Sequence, residues 1–184
     1  MFCPNMKIFA MMNNTKYLII MLLLCLLSCE EKPKQPATVS QDQMKSSMEK
    51  ANRYLVNEEE TDISNYVKRH GLDMVSTGTG LRYQVMKAGQ GKQIEKGQKV
   101  SLEYQLESIS GDLFYSSENE GVKTFVVGDG SVESGLDEAM LHLHYGDVAK
   151  VIIPAHLGYG LHGDDNKIPS YAALVYTIKI TENQ

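Results

Sequence analysis

Residues 124–160 read TFVVGDGSVESGLDEAMLHLHYGDVAKVIIPAHLGYG. The run opens with four apolar or β-favouring residues, 124–127, closed by Gly128, Asp129 and Gly130. Apolar residues then recur at Val132, Leu136, Met140 and Leu143, in steps of four, four and three, which is one face of a helix. Ser131 or Ser134 is placed to cap its start, and Glu133, Asp137 and Glu138 stand where the positive end of the helix dipole favours anions. Gly146 is a stop signal. Residues 148–154, VAKVIIP, form a strand ended by Pro154, and Leu157-Gly158-Tyr159-Gly160 is a loop carrying an aromatic between two glycines. A lone short helix among strands must bury its apolar face on a sheet. The spacing therefore predicts a helix that floors a small apolar pocket, with Tyr159 above it.

The flanking sequence supplies the sheet. Residues 99–108, KVSLEYQLES, alternate: Val100, Leu102, Tyr104 and Leu106 on one face, Ser101, Glu103, Gln105 and Glu107 on the other, the pattern of a half-buried strand. LRYQVMKA (81–88) precedes it across the Gly89-Gln90-Gly91 turn. Ser110-Gly111-Asp112 turns into LFYSS (113–117), and AALVYTIKI (172–180) puts Leu174, Tyr176, Ile178 and Ile180 on one face. The class is α+β: a twisted antiparallel sheet of five or six strands wrapped over one short helix.

Upstream, Met44, Met48, Ala51 and Leu55 fall at helical steps. Thr61 is a candidate cap for a second helix, with Ile63, Tyr66, Val67 and His70 on one face and Gly71 at its end. Such N-terminal helices either pack on their own domain or form a homodimerisation arm through residues 44–70. His70 reads as a packing residue. Residues 30–43 are polar, contain two prolines and show no periodicity, as a flexible tether does. The acids directly after Cys29 read as part of that tether or as a sorting signal.

The first 28 residues carry Lys7 and Lys16, no acid, and an eleven-residue apolar core at 17–27, too short for a permanent membrane span. Leu26-Leu27-Ser28-Cys29 resembles the bacterial lipobox, which implies cleavage before Cys29 and its lipidation with palmitate-type acyl chains. The competing reading is a plain secretory signal. Several chains on one cysteine anchor stably to a bilayer, whereas a single chain holds only marginally. The expected organisation is a signal peptide (1–28), a tether (29–43), a helical segment (44–79) and a folded domain (80–184).

Composition narrows the function classes. At 42% apolar and 22% charged residues, the chain is globular rather than disordered. All three cysteines lie in the first 29 residues, so the folded part holds no disulfide and no thiolate metal site. Without Lys7 and Lys16, the chain from Cys29 onward has 16 basic and 23 acidic residues, a net of −7, which argues against nucleic-acid binding. There is no phosphate loop and no nucleophile elbow. His142 and His144 lack a carboxylate spaced to complete a metal site, and residues 162–166, HGDDN, lack calcium-loop spacing. No metal or cofactor is expected. What remains is a set of aromatics and aliphatics at strand ends and inner faces: Tyr104, Phe114, Phe125, Val132, Leu136, Tyr159, Ile168 and Tyr176. By spacing alone they are either ordinary core or the walls of a ligand pocket.

From Gly80 onward the chain resembles the FKBP-type peptidyl-prolyl cis-trans isomerases. The resemblance is carried by Leu102-Glu103-Tyr104, by Gly111 with Phe114, Ser116 and Ser117, by residues 125–128 followed by Val132 and Gly135, by Leu143, Gly146, Ala149 and Lys150, by Ile153-Pro154 and residues 157–160, and by Ile168-Pro169 with residues 174–176. Together with the lipobox, tether and short helices, the chain looks like the FKBP-type lipoproteins associated with gliding motility in Bacteroidetes-type bacteria.

The resemblance implies an FKBP-like fold and an enzyme that needs no nucleophile. The barrier to rotation about an X–Pro bond is about 20 kcal/mol and comes from amide conjugation. An apolar pocket that favours the twisted, less conjugated amide lowers it. Tyr104, Phe114 and Tyr159 are the implied catalytic residues. Phe125, Val132, Leu136, Ile168 and Tyr176 would wall the proline, with Leu136 as floor, and the Glu133 N–H would donate to a substrate carbonyl beside the Tyr159 hydroxyl. The implied partners are proline-containing unfolded or partly folded exported proteins, with the bilayer contacted through Cys29 and the protein placed in the cell envelope, on the periplasmic side of the outer membrane or at the surface. Four positions depart from the family pattern: Tyr115 stands for an acid, Leu136 for a tryptophan, Glu133 for an aliphatic residue and Lys123 for an aromatic. Those departures keep open a non-catalytic binding or chaperone module, or a part of an envelope machine for gliding or secretion.

Overall fold

The structure, a computed structural model, describes residues 40–182. Cys29 and the expected signal peptide lie outside the described residues. The sheet belongs wholly to the compact unit that begins at Lys45. In chain order the elements are α1 (Gln41–Arg69), β1 (Val75–Ser76), β2 (Arg82–Lys87), β3 (Lys99–Ser108), β4 (Leu113–Ser116), α2 (Ser117–Glu120), β5 (Lys123–Val126), α3 (Ser134–Met140), β6 (Val148–Ile153), a 3-10 turn (Ala155–Leu157) and β7 (Leu174–Glu182).

The strands run in the order β1-β2-β6-β7-β3-β4, all antiparallel, with β5 also on β3. The alternating strand β3 is the hub. It pairs with β7 from Val100↔Glu182 to Ser108↔Leu174. Its other edge is shared end to end: β5 covers Lys99 to Leu102 and β4 covers Gln105 to Glu107. Between them the chain leaves the ladder as α2, and Ser117 Oγ accepts the otherwise unpaired N–H of Tyr104 at 3.1 Å. This break places Phe114 and Phe125 on one edge, flanking Tyr104. The period-two pattern of β3 holds, with Val100, Leu102, Tyr104 and Leu106 buried. Ser101, expected outside, is also buried, and its hydroxyl shares a 2.7 Å hydrogen bond with Thr124 Oγ1.

Helix α3 covers the inner face through Leu136, Ala139 and Met140, all fully buried, and Leu143 is buried just beyond it. It is shorter than the periodicity suggests. Glu133, not a serine, is its N-cap residue, and its side chain makes no cap bond. Ser134 Oγ instead donates to the Leu157 carbonyl at 3.2 Å, tying α3 to the 3-10 turn. Gly146 does not end the helix, which stops at Leu141; with φ of 88°, it serves the turn into β6. Gly135 is required for close approach, since a Cβ there would lie 2.4 Å from Ile153 Cγ2.

The segment expected to hold two helices is a single one, α1. No glycine or proline interrupts residues 55–61, and Thr61 caps nothing: its hydroxyl donates to the Asn57 carbonyl one turn back, at 2.8 Å. Ile63 and Tyr66 are buried against Ile152, Ala173 and Val175, on the outer face of β6 and β7. That contact explains why neighbouring residues in these strands are buried on both faces. Gly71, at φ of 61°, ends the helical turn as expected, and Leu72 N–H reaches the Val67 carbonyl at 3.0 Å. His70 is exposed, its ring 4.2 Å from that of Tyr66. Met48, on the expected apolar face, is 65% exposed. Among the described residues no helix is long and apolar enough to cross a membrane.

Candidate active site

The sheet and α3 bring the aromatic set into one cluster. Tyr104 on β3, Phe114 on β4, Phe125 on β5, Leu136 on α3, Ile168 in the last loop and Tyr176 on β7 are all buried, with Val132, Tyr159 and Tyr115 packed against them. Tyr159 follows the 3-10 turn, where Gly160 N–H closes on the Ala155 carbonyl at 2.8 Å, and is half-buried. The rings of Tyr104 and Tyr176 lie 6.0 Å apart at 50°. Val132 and Glu133 sit immediately before α3, where Glu133 contributes its carbonyl to the first helical turn.

The centre of this cluster is polar, not an open apolar pocket. The Glu133 side chain is only 5% exposed. Its Oε1 accepts the Tyr159 hydroxyl at 2.5 Å and the Tyr176 hydroxyl at 3.0 Å, with Lys123 Nζ 3.6 Å away. Lys123 Nζ also lies 5.4 Å from the Tyr104 ring centre and 5.9 Å from that of Tyr176, in cation–π range. Burial, then the charge and hydrogen bonding of Glu133, push the Tyr176 hydroxyl far above its ordinary range; burial and the Glu133 hydrogen bond do the same to Tyr159. Both phenols are therefore held protonated, as donors. Glu133 Oε2 is buried and has no partner, an arrangement that costs on the order of 1–3 kcal/mol.

Two hollows flank Tyr159 and Lys123. One, of about 230 Å³, is lined by Tyr104, Leu106, Tyr115, Glu120, Lys123, Tyr159 and Asp164. The other, of about 260 Å³, is lined by Lys123, Ser131, Val132, Glu133, Gly158 and Tyr159. Phe114, Phe125, Leu136, Ile168 and Tyr176 line neither. Leu136 is fully buried and lines neither hollow, so it is a packing floor, not an open one. A larger hollow of about 270 Å³ lies between α1 and the turns at residues 108–110 and 171–173. It contains none of the aromatic set, so the chemistry of the cluster, not hollow size, marks the candidate site.

An acid does stand beside the site, but it comes from the loop of residues 160–171. Tyr115 donates its hydroxyl to Asp164 Oδ2, and Asn166 Nδ2 donates to the Tyr115 oxygen at 3.1 Å. Asp164 Oδ1 accepts the N–H of Ile168 at 2.7 Å and of Asn166 at 3.0 Å. Lys167 Nζ lies 4.6 Å from the Tyr115 ring centre. The polar loop thus positions Ile168. The two histidines serve elsewhere: the His142 ring stacks on Tyr83 at 5.0 Å, and His144 Nδ1 is 3.7 Å from Asp147. Among the described residues no group of three His, Cys, Asp or Glu side chains is placed to hold a metal ion.

Sequence reasoning assigned Glu133 a backbone role and missed its side chain, the Tyr176 hydroxyl and the Tyr115–Asp164 bond. A signal was present. Lys123 and Glu133 are opposite charges at two positions expected to be apolar on neighbouring walls, which is what a compensating pair looks like.

A family model described as FKBP-type peptidyl-prolyl cis-trans isomerase matches residues 90–181. The chain is 38% identical over 90 residues to peptidyl-prolyl cis-trans isomerase FKBP9 of Homo sapiens, a match covering 48% of this chain and 16% of that protein. It is 31% identical over 102 residues to an FK506-binding protein of Neisseria meningitidis, covering 55% of this chain and 94% of that one. A crystal structure of a peptidyl-prolyl cis-trans isomerase from Pseudomonas syringae pv. tomato aligns with a TM-score of 0.60 at 21% identity, over 70% of this chain and 92% of that chain. The chain thus spans a small part of FKBP9 and nearly all of the neisserial protein, and its fold is FKBP-like.

Proposed function

Because the chain belongs to the FKBP-type peptidyl-prolyl cis-trans isomerase family, we propose that residues 80–184 catalyse rotation about X–Pro bonds. The observation that carries this reading is a half-buried Tyr159 that shares one hollow with Tyr104, in a buried cluster that also holds Phe114 and Phe125. The proline ring enters beside Tyr104, and Tyr159 donates to a substrate carbonyl. No covalent step is needed: the site binds the twisted amide more tightly than the planar one, and each 1.36 kcal/mol of that difference gives about a ten-fold rate gain. An NMR-exchange or protease-coupled assay on an Xaa-Pro peptide tests it. Tyr159→Phe and Phe114→Ala should slow isomerisation; a wild type no faster than these variants and the uncatalysed rate would overturn the reading.

The hold of Glu133 on Tyr159 favours a second reading, a non-catalytic binding or chaperone module, or a part of an envelope machine. It expects suppressed aggregation of an unfolded client that survives Phe114→Ala.

The lipobox-like Leu-Leu-Ser-Cys at 26–29 supports anchoring by acyl chains on Cys29, in the cell envelope, where the protein would assist folding of exported proline-containing clients. The narrower likeness to gliding-associated lipoproteins belongs to the same reading. Cys29→Ala should move the protein from the membrane fraction to the soluble one, and unchanged sedimentation would count against the anchor. The exposed Met48, Tyr54 and Val56 on α1 support a homodimer through residues 44–70, to be tested by light scattering of Met48→Glu.

A further inference from the structure

The Tyr159 hydroxyl carries one proton, and that proton is already given to the Glu133 carboxylate at 2.5 Å. A carboxylate is a stronger acceptor than a peptide carbonyl, so a substrate carbonyl cannot take this donor while the carboxylate stays. We propose that Glu133 is an internal competitor for the substrate: an Xaa-Pro peptide engages Tyr159 only after the Glu133 carboxylate swings away. This rests on the isomerase reading of the site.

Three further observations support the role. The carboxylate is held through one oxygen only, with Oε2 buried and unpartnered, so the closed arrangement is not a fully satisfied one. Glu133 lines the 260 Å³ hollow beside Val132 and Gly158, which gives the side chain room to move into. Lys123 lines the same hollow and is 26% exposed, so its ammonium can follow the carboxylate and keep the ion pair while both move toward solvent. Glu133 thus acts through Tyr159 as a positioning residue. It sets how much binding energy the substrate must spend on opening the site.

The test uses the purified full chain and a tetrapeptide with a central Leu-Pro bond, measuring peptide affinity by NMR titration and isomerisation by NMR exchange. Glu133→Ala should bind the peptide about ten-fold more tightly, with KM falling in proportion, because the charged competitor is gone. That gain should vanish in the Tyr159→Phe background, where the competed donor is absent, an outcome that a structural role for Glu133 would not produce. Glu133→Gln keeps an acceptor for both phenols and should show a smaller gain with the same dependence on Tyr159, which serves if Glu133→Ala does not fold. Affinity no higher in either folded variant, or a gain that persists without the Tyr159 hydroxyl, overturns the competitor role. Tighter binding with no catalysis in any variant leaves the competitor role standing and removes the isomerase reading. Catalysis equal to wild type with unchanged affinity does the reverse.

Discussion

Tyr115 and Asp164, 49 residues apart, are joined by a hydrogen bond across the mouth of the site. The same carboxylate accepts the backbone N–H of Ile168, so one acid fastens the loop of residues 160–171 both to β4 and to itself. Gly163, at φ of 72°, is the turn that allows this, because a Cβ there would lie 2.1 Å from the Ile168 carbonyl oxygen.

This bond makes the loop sensitive to acid. Burial pushes the Asp164 carboxyl up, but hydrogen bonds from Tyr115, Ile168 and Asn166 outweigh it and hold the group below its ordinary 3.8. A lowered folded-state value means that the fold favours the ionised form. The contribution is therefore complete above the ordinary value and is lost as pH falls through the lower, folded one. The Ile168 amide shift should titrate with a midpoint below 3.8, and Tyr115→Phe should move that midpoint upward. A wild-type midpoint at or above the ordinary value would remove this account.

The C-terminal half of α1 is part of the domain's core. Ile63 is 1% exposed against the outer face of β6 and β7, whereas Met48 is 65% exposed. Ile63→Ala should cost about 2–5 kcal/mol in denaturant unfolding. Met48→Ala should stay within about 0.5 kcal/mol of wild type. Similar losses at both positions would show that the packing described is wrong.

Glu59 fastens α1 to the loop that bears Tyr159. Its Oε1 accepts the N–H of Ala155 at 2.6 Å, and Ala155 is buried. Glu59→Ala should cost about 1–3 kcal/mol, because the donor is left unsatisfied, with faster amide exchange at Ala155. Protection of that amide equal to wild type would contradict the role.

Gly135 sets the distance between α3 and β6. Gly135→Ala forces Ile153 or the helix to shift, since the added methyl would sit 2.4 Å from Ile153 Cγ2. The expected cost is about 1–3 kcal/mol, with peptide affinity reduced through displacement of Val132 and Glu133. Unfolding and affinity both at wild-type values would show that the contact relaxes freely.

Much of this protein is legible along the chain. The alternation in β3, the steps of four, four and three from Val132 to Leu143, and the glycines around Tyr159 are local patterns, and local patterns set strands, the helix face and the loops. They also gather the site residues, because side chains that share a buried face share a core. What stayed hidden depends on pairs far apart in sequence. Whether residues 44–70 form one helix or two turned on burial of Ile63 and Tyr66 beneath Ile152 and Val175, since only tertiary packing stabilises that end of a long polar helix. The helix stops at Leu141, and Gly146, with its positive φ, belongs to the turn into β6. The character of the site turned on Glu133, whose residue type alone suggests a solvated helix start. Folding instead places Lys123, Tyr159 and Tyr176 around its carboxylate, and a buried charge is tolerated only where such partners converge. The scaffold and the aromatic walls follow from local patterns along the chain. That a charged side chain of the protein sits among them follows only from long-range packing, which brings Lys123, Tyr159 and Tyr176 to Glu133.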